Sequence, residues 1–343
     1  MKVLRPAVMA DLPQIERLAQ QSGPMVCTLP VSRAHLQAKI AHSQAALAAE
    51  VLLPGEESYF FVLEDLASGR LQGTCAILAQ AGFQEPFHAY RNEVVIHASR
   101  TLGVHQRLHT LCLSHELSDH SQLCSFYLEP ALRQGHWPRL LTLGRLLFIA
   151  QHPERFAPDL VAVLPGLVDE AGRCPFWEQV GRRFFGIDYQ QAEYYHGTQD
   201  RRFITELMPH HPLYVSLLAE EAQAALGQVH PDARLQFDLL EADGFEADDF
   251  VEIFDAGPVV QARRTTLHSW QTSQLARVAE LAPSRQSNAP TCLLVNTALP
   301  EFRALLTPLS AAPGQALSLP PEVADALRLR PGDPVRWLAL EPQ

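Results

Sequence analysis

The order of patterned segments in the first half of the chain limits its folds more than any single residue does. Residues 3–7 read as a short strand, and Asp11 then stands in N-cap position before a helix whose apolar side is Leu12, Ile15, Leu18 and Ala19. Ser32 caps a second helix, with Leu36, Ile40 and Leu47 at helical spacing. Two β-rich runs, 59–64 and 73–78, flank Ala67-Ser68-Gly69 and read as a hairpin. Next come an aromatic, proline-bearing loop over 82–92, a strand at 94–97, a strand at 123–128, a connection over 129–137, and a helix from Pro138 to about Gln151. A strand at 160–164 and a helix around 176–180 close the run. The resulting order, β-α-α-β-β-β-β-α-β-α, predicts an α/β fold with a mixed sheet flanked by helices.

Beyond that run the pattern loosens. Residues 193–265 predict more helix, including 213–226 and a segment over 233–242 ended by Gly244, then a strand near 250–254. A Ser/Pro-containing stretch over 282–290 reads as a linker. After it, apolar segments at 292–296, 316–319 and 335–338, a short helix over 320–329 and a Pro331-Gly332-Asp333 turn make a small β-rich module. The expected division is a main domain over 1–265, with an extension from about residue 193, and a small β-rich C-terminal module over 288–343.

A chain of 343 residues that is 47% hydrophobic carries enough apolar surface to bury a full core. Its net charge of -11 opposes binding to phosphate backbones and acidic lipid and favours cationic small molecules, so neither nucleic acid nor membrane is an expected partner. No metal is expected: the cysteines form no CxxC pair, and the histidines form no HExxH or Cys/His knuckle spacing. The cysteines read as reduced core residues. No signal-peptide-like segment opens the chain, and its most apolar helix, over 140–150, is interrupted by Arg145 and far too short to span a bilayer. The expected location is cytoplasmic.

One stretch points to chemistry on its own. Gly227-Gln228-Val229-His230-Pro231 seats a histidine between two residues that bend the chain. Such a histidine either satisfies a nearby backbone group or handles the proton of a group transfer.

Several further stretches accompany it in one order: the run from Gly55 to Asp65 (GEESYFFVLED), Glu85-Pro86-Phe87 with Arg91-Asn92-Glu93, His97-Ala98-Ser99-Arg100, Pro175-Phe176-Trp177, and Glu206-Leu207-Met208-Pro209. Together they resemble the arginine N-succinyltransferase family, most of all the alpha subunits of its arginine/ornithine type, and through it the GCN5-related N-acyltransferase fold. The likeness runs from residue 1 to about 260.

That resemblance implies transfer of succinyl from succinyl-CoA, a cosubstrate and not a permanently bound cofactor, to the α-amino group of L-arginine or L-ornithine in arginine catabolism. It assigns His230 as proton donor. It also places a succinyl-CoA contact at Phe126, on a strand whose main chain would face the thioester oxyanion. The CoA pyrophosphate is expected at the following helix start, where Arg133, Gln134, Gly135, His136 and Arg139 stand in place of the fold's more glycine-rich loop. Arg91, Glu93, His97, Ser99 and Arg100 are candidates for the amino-acid or succinyl pocket, the alternative being a hydrogen-bond network that braces their loop. Asp255-Ala256-Gly257-Pro258 stands where the family usually has Asp-Gly-Gly-Pro, and the alanine suggests a backbone that no longer needs glycine there. The family further implies an oligomer, with a related beta subunit or with itself. A second reading is a non-catalytic or regulatory subunit of the same fold that depends on a paralogous partner.

Overall fold

The computed structural model describes residues 1–23, 26–198, 201–283 and 289–340. β1 (Lys2–Pro6) leads to α1 (Leu12–Ser22) and α2 (Arg33–Ala48), then to the hairpin of β2 (Ser58–Asp65) and β3 (Arg70–Leu78). Its turn ends at Gly69, which takes a φ of 65°. Asp11 precedes α1 as expected but does not cap it by side chain: its carboxylate instead accepts from Val8 N at 2.9 Å and from the Arg5 guanidinium at 2.7 Å. An arginine on β1 thus outcompetes the helix start for that acid.

A long hairpin of β4 (Ala89–Ser99) and β5 (Val104–Ser114) follows, with β5 absent from the sequence reading. Its residues are polar on both faces near the tip and half-buried near the base, so the alternation that marks a strand is blurred. Next are β6 (Ser121–Leu128), α3 (Trp137–Gln151), β7 (Asp159–Val163), α4 (Pro175–Gln179), α5 (Gly181–Phe185), α6 (Tyr189–Thr198) and α7 (Arg202–Leu207). The helix expected over 213–226 is in fact β8 (Leu213–Tyr214), a 3-10 turn and the short α8 (Glu220–Ala225). Then come α9 (Arg234–Asp243), β9 (Glu246–Val251), β10 (Pro258–Arg263), α10 (His268–Thr272), β11 (Gln274–Leu281), β12 (Thr291–Asn296), β13 (Ala304–Pro308), β14 (Leu317–Leu319), α11 (Pro321–Leu327) and β15 (Pro334–Ala339). The linker expected over 282–290 lies in part outside the described residues.

These strands join edge to edge in the order β14-β11-β15-β12-β13-β1-β2-β3-β6-β7-β10-β9-β4-β5-β8. The sheet therefore runs without a break from the main part of the chain into its C-terminal strands, through the pairing of Leu4 with Ala304. Alternation on β2 and β3 divides the core. Tyr59, Phe61, Leu63 and Ile77 pack with Leu140, Leu147 and Phe148 of α3, while Phe60, Val62 and Ala76 pack with Ile15, Leu18 and Ile40 of the first two helices. Phe148 is the hub, with ring centroids 5.1 Å from Phe61 and 4.9 Å from Phe302, and its loss to alanine would cost about 3–5 kcal/mol. Among the described residues no helix is long and apolar enough to cross a membrane.

One irregularity positions the site. β6 runs parallel to β7 only from Ser121↔Leu160 to Leu123↔Ala162. Past Leu123 the two part, and on its other edge β6 slips register against β3 between Thr74 and Ala76. Ser125, at that slip, has a φ of 50° and is held by Thr28, whose hydroxyl takes Ser125 N at 2.9 Å and whose carbonyl takes Ser125 Oγ at 2.8 Å.

Candidate active site

The gap opened between β6 and β7 is a cleft. Residues 122–128 of β6 line one wall, with Arg133 at its end, and His230, Asp232, Tyr189, Glu193, Glu252 and Asp255 line the rest. Phe126 is half-buried there, its ring 5.4 Å from the Arg145 guanidinium.

His230 reaches the cleft on the loop between α8 and α9. Gly227 takes a φ of 68°, a conformation that favours glycine, and donates its N–H to Ala256 O at 2.9 Å. Three residues on, His230 N donates to Pro165 O at 2.8 Å. Pro231 then starts a 3-10 turn, and Asp232 N donates back to His230 Nδ1 at 3.2 Å. In the neutral ring this contact leaves the hydrogen on Nε2, the nitrogen free for the cleft. The local sequence is legible in these terms: glycine turns the chain in, and proline prevents the histidine from being absorbed into a helix interior.

The turn after β9 braces the same loop. Asp255 accepts from Gly257 N and Gly166 N, both at 2.7 Å, and from Tyr189 OH at 3.2 Å. A side chain at either glycine would collide: a Cβ on Gly257 would lie 2.2 Å from Leu164 O, and one on Gly166 would lie 2.5 Å from Asp255 O. Ala256 sits between them with a φ of 57° and is completely buried. The backbone has therefore kept the left-handed conformation, contrary to the expectation that alanine marks its loss, at a strain of about 1 kcal/mol.

Arg133 closes the other end. Its guanidinium pairs with Asp232 at 2.6 Å and lies 5.9 Å from the Tyr127 ring, tying the loop after β6 to the His230 turn. Gly135 supplies a positive φ of 86°, Gln134, Gly135 and His136 are exposed, and Arg139 lies half-buried in the first turn of α3. Of these five residues Arg133 alone lines the cleft. Arg91, Glu93, His97, Ser99 and Arg100 lie elsewhere, on the long β4–β5 hairpin, and none lines the cleft in its own chain. There Arg91 pairs with Glu116 at 3.3 Å, His97 Nε2 lies 3.4 Å from Tyr214 OH, and Ser99 Oγ accepts from Leu102 N at 3.3 Å.

Two groups of buried charge were not singled out from the sequence. Arg145, on α3 behind β6, is wholly buried and donates Nη1 to Ala76 O and Cys124 O at 3.4 Å, while its Nη2 has no partner. Opposite lie Glu193, Glu252 and Asp255, whose carboxyls are all pushed above the usual carboxylate range, burial being the main cause and their mutual repulsion adding to it for both glutamates. Cys27, Glu193 and His196 also bring ligand-type atoms within 4.8 Å of one another. Spacing in the sequence offers only the local pairs, Glu193 with His196 on α6 and Glu252 with Asp255 in the turn after β9; the groups themselves form only where separate elements meet.

Comparison with known proteins gives a consistent result. A family model described as arginine N-succinyltransferase beta subunit matches residues 2–269, and one for the C-terminal domain of that subunit matches 274–339. Arginine N-succinyltransferase subunit alpha of Pseudomonas aeruginosa is 47% identical over 340 residues, covering 99% of this chain and 100% of that protein. Arginine N-succinyltransferase of Salmonella paratyphi B is 37% identical, covering 99% and 98%. The structure of arginine/ornithine succinyltransferase subunit AI from Pseudomonas aeruginosa has a TM-score of 0.92 at 45% identity, covering 100% of this chain and 99% of that one. The descriptions differ on alpha and beta; they agree on the enzyme.

Proposed function

Because the chain belongs to the arginine N-succinyltransferase family, we propose how the β6–β7 cleft performs the family's reaction. The protein is an acyltransferase that moves succinyl to arginine in arginine catabolism. In our reading the donor is succinyl-CoA, its thioester carbonyl lies against the main chain of β6 at Phe126, and Arg133 and the start of α3 meet its phosphates. The observation that carries this is the placement of His230 and the freed edge of β6 in one cleft.

The α-amine attacks the thioester carbonyl, a C–N bond forms, the C–S bond breaks, nitrogen loses one proton and sulfur gains one. In our reading His230 supplies the sulfur's proton: protonated from solvent at Nδ1, the ring gives up the contact with Asp232 N–H, a long bond at 3.2 Å, and donates from Nε2 to the departing sulfur, while the amine's proton leaves to solvent. Main-chain N–H groups on β6 serve the oxyanion without reorganising. The family names also support an assembly with further subunits.

Free thiol release from succinyl-CoA, followed with purified chain and arginine or ornithine, tests the reading. His230→Ala is expected to lower kcat at least about a hundredfold with the fold unchanged. Unchanged turnover in that variant would remove His230 from the mechanism. Turnover appearing only after a second subunit is added would favour the non-catalytic reading instead.

A further inference from the structure

A transferase acting on arginine must hold a cation as well as a thioester, and the wall of the cleft facing β6 supplies the chemistry. We propose that Glu193 and Glu252, backed by Asp255, form the subsite that takes the guanidinium of the amino-acid substrate; this deepens the transferase reading and rests on it.

Location comes first. Both glutamates line the same cleft as His230 and Phe126, yet they are only 6% and 8% exposed. They project from firm supports, α6 and the turn after β9. Hydrogen bonding comes next. Asp255 is committed to Gly166, Gly257 and Tyr189. Glu252 accepts from Phe254 N and Asp255 N through Oε2, and its carboxyl also meets that of Asp255. Among the described residues Glu193 meets the Cys27 thiol, on the same wall. A planar guanidinium with five N–H groups matches a wall that presents two carboxylates to the cleft.

Charge balance points the same way. Among the described residues none of the three carboxylates forms an ion pair, and the main influences on them are burial, one another and hydrogen bonds, with Arg201 in the same cleft but unpaired with them. The nearby histidines do not fill the role: burial pushes both His88 and His196 down, toward the neutral form, with Arg201 adding to it, and their Nδ1 atoms have no partner. Buried acids without a counter-charge are costly, and an incoming cation offsets that cost. A metal bound by Cys27, Glu193 and His196 is a poorer occupant, because burial pushes the Cys27 thiol well up and disfavours the thiolate such a site needs.

The test compares L-arginine with L-citrulline, which has nearly the same shape and no charge, by thiol release with succinyl-CoA and by calorimetric binding. Glu193→Gln is expected to raise KM and Kd for arginine at least about thirtyfold, while KM for succinyl-CoA and kcat/KM for citrulline move less than about threefold. Glu193→Asp should recover part of the loss, and thermal melts establish that each variant is folded. Equal changes for arginine and citrulline, or no change for arginine, would overturn the subsite. So would activity lost to a chelator and regained with zinc, which would hand Glu193 to a metal. If the wild type binds arginine but releases no thiol, and Glu193→Gln weakens that binding, the transferase reading fails while the subsite stands.

Discussion

On one side of the cleft Arg145 lies behind β6, wholly buried, with main-chain oxygens at 3.1 and 3.4 Å and no carboxylate. On the other, Glu193, Glu252 and Asp255 are buried and, among the described residues, form no ion pair. The two walls thus hold unpaired groups of opposite kind, a base on one side and acids that burial keeps protonated to higher pH on the other. A fold selected for stability alone would replace either group with apolar side chains, often with a gain of about 1–4 kcal/mol. In the proposed reading that difference suits two ligands at once: an electron-accepting thioester against β6, and a cation opposite. On the same reading the Arg145 guanidinium behind β6 offsets locally the repulsion that a net charge of -11 would exert on an anionic donor.

The largest expected effect concerns pH. Carboxyls held above the usual range keep their protons to higher pH in the empty cleft, whereas a guanidinium binds the ionised form. Arginine binding should therefore release protons, and its affinity should rise with pH by up to about tenfold per unit until those carboxyls ionise unaided. Tyr189, Cys27, His88, His196 and Arg201 face the same acids, so the comparison is best made with Glu193→Gln, in which the slope should flatten. For stability the sign reverses. Folded carboxyls with raised pKa bind protons that an unfolded chain has already released, so the contribution of these three is fully present below the ordinary carboxylate range and is lost as pH rises. Calorimetry of arginine binding in two buffers of different ionisation heat measures the proton release, and a value of zero would break the contrast between the walls.

The opposite wall is probed by Arg145→Met. Removing that charge should lower kcat about tenfold, through lost electrostatic support for the oxyanion, while thermal stability stays level or rises. A fall in stability with kcat unchanged would make Arg145 a structural brace and leave the polarity one-sided. Ala256→Gly, on the acidic side, should relieve the left-handed alanine and stabilise the fold by about 1 kcal/mol, read from denaturant melts. Smallest is Asp232→Asn. It loses a partly exposed ion pair to Arg133 but keeps the main-chain N–H on His230, so KM for succinyl-CoA should rise only about twofold to threefold.

What could be read from the sequence, and what could not, divides along the same line. The β2–β3 hairpin was legible because its residues alternate and Gly69 marks the turn, and the His230 turn because glycine and proline punctuate the chain locally. The acidic wall was not legible. Glu193 and Glu252 stand 59 positions apart, as 252 minus 193 gives, on elements that meet only in the folded sheet. Likewise, Arg145 reads in sequence as an interruption of an apolar helix, and nothing local says that it faces β6. The loop residues Gln134 to His136 and the hairpin residues Arg91 to Arg100 follow from resemblance alone, since their surroundings depend on tertiary placement.

The pairing of Leu4 with Ala304 has a consequence for how the chain acquires its structure. β1 finds one neighbour, β2, within its first 65 residues but must wait for β13 before its other edge is covered. During synthesis that edge stays open through most of the chain, a template for stray pairing, and the final registration is a contact of very high sequence separation. Slow maturation and a need for dilution during refolding are what such a topology entails, whatever the stability of the finished sheet.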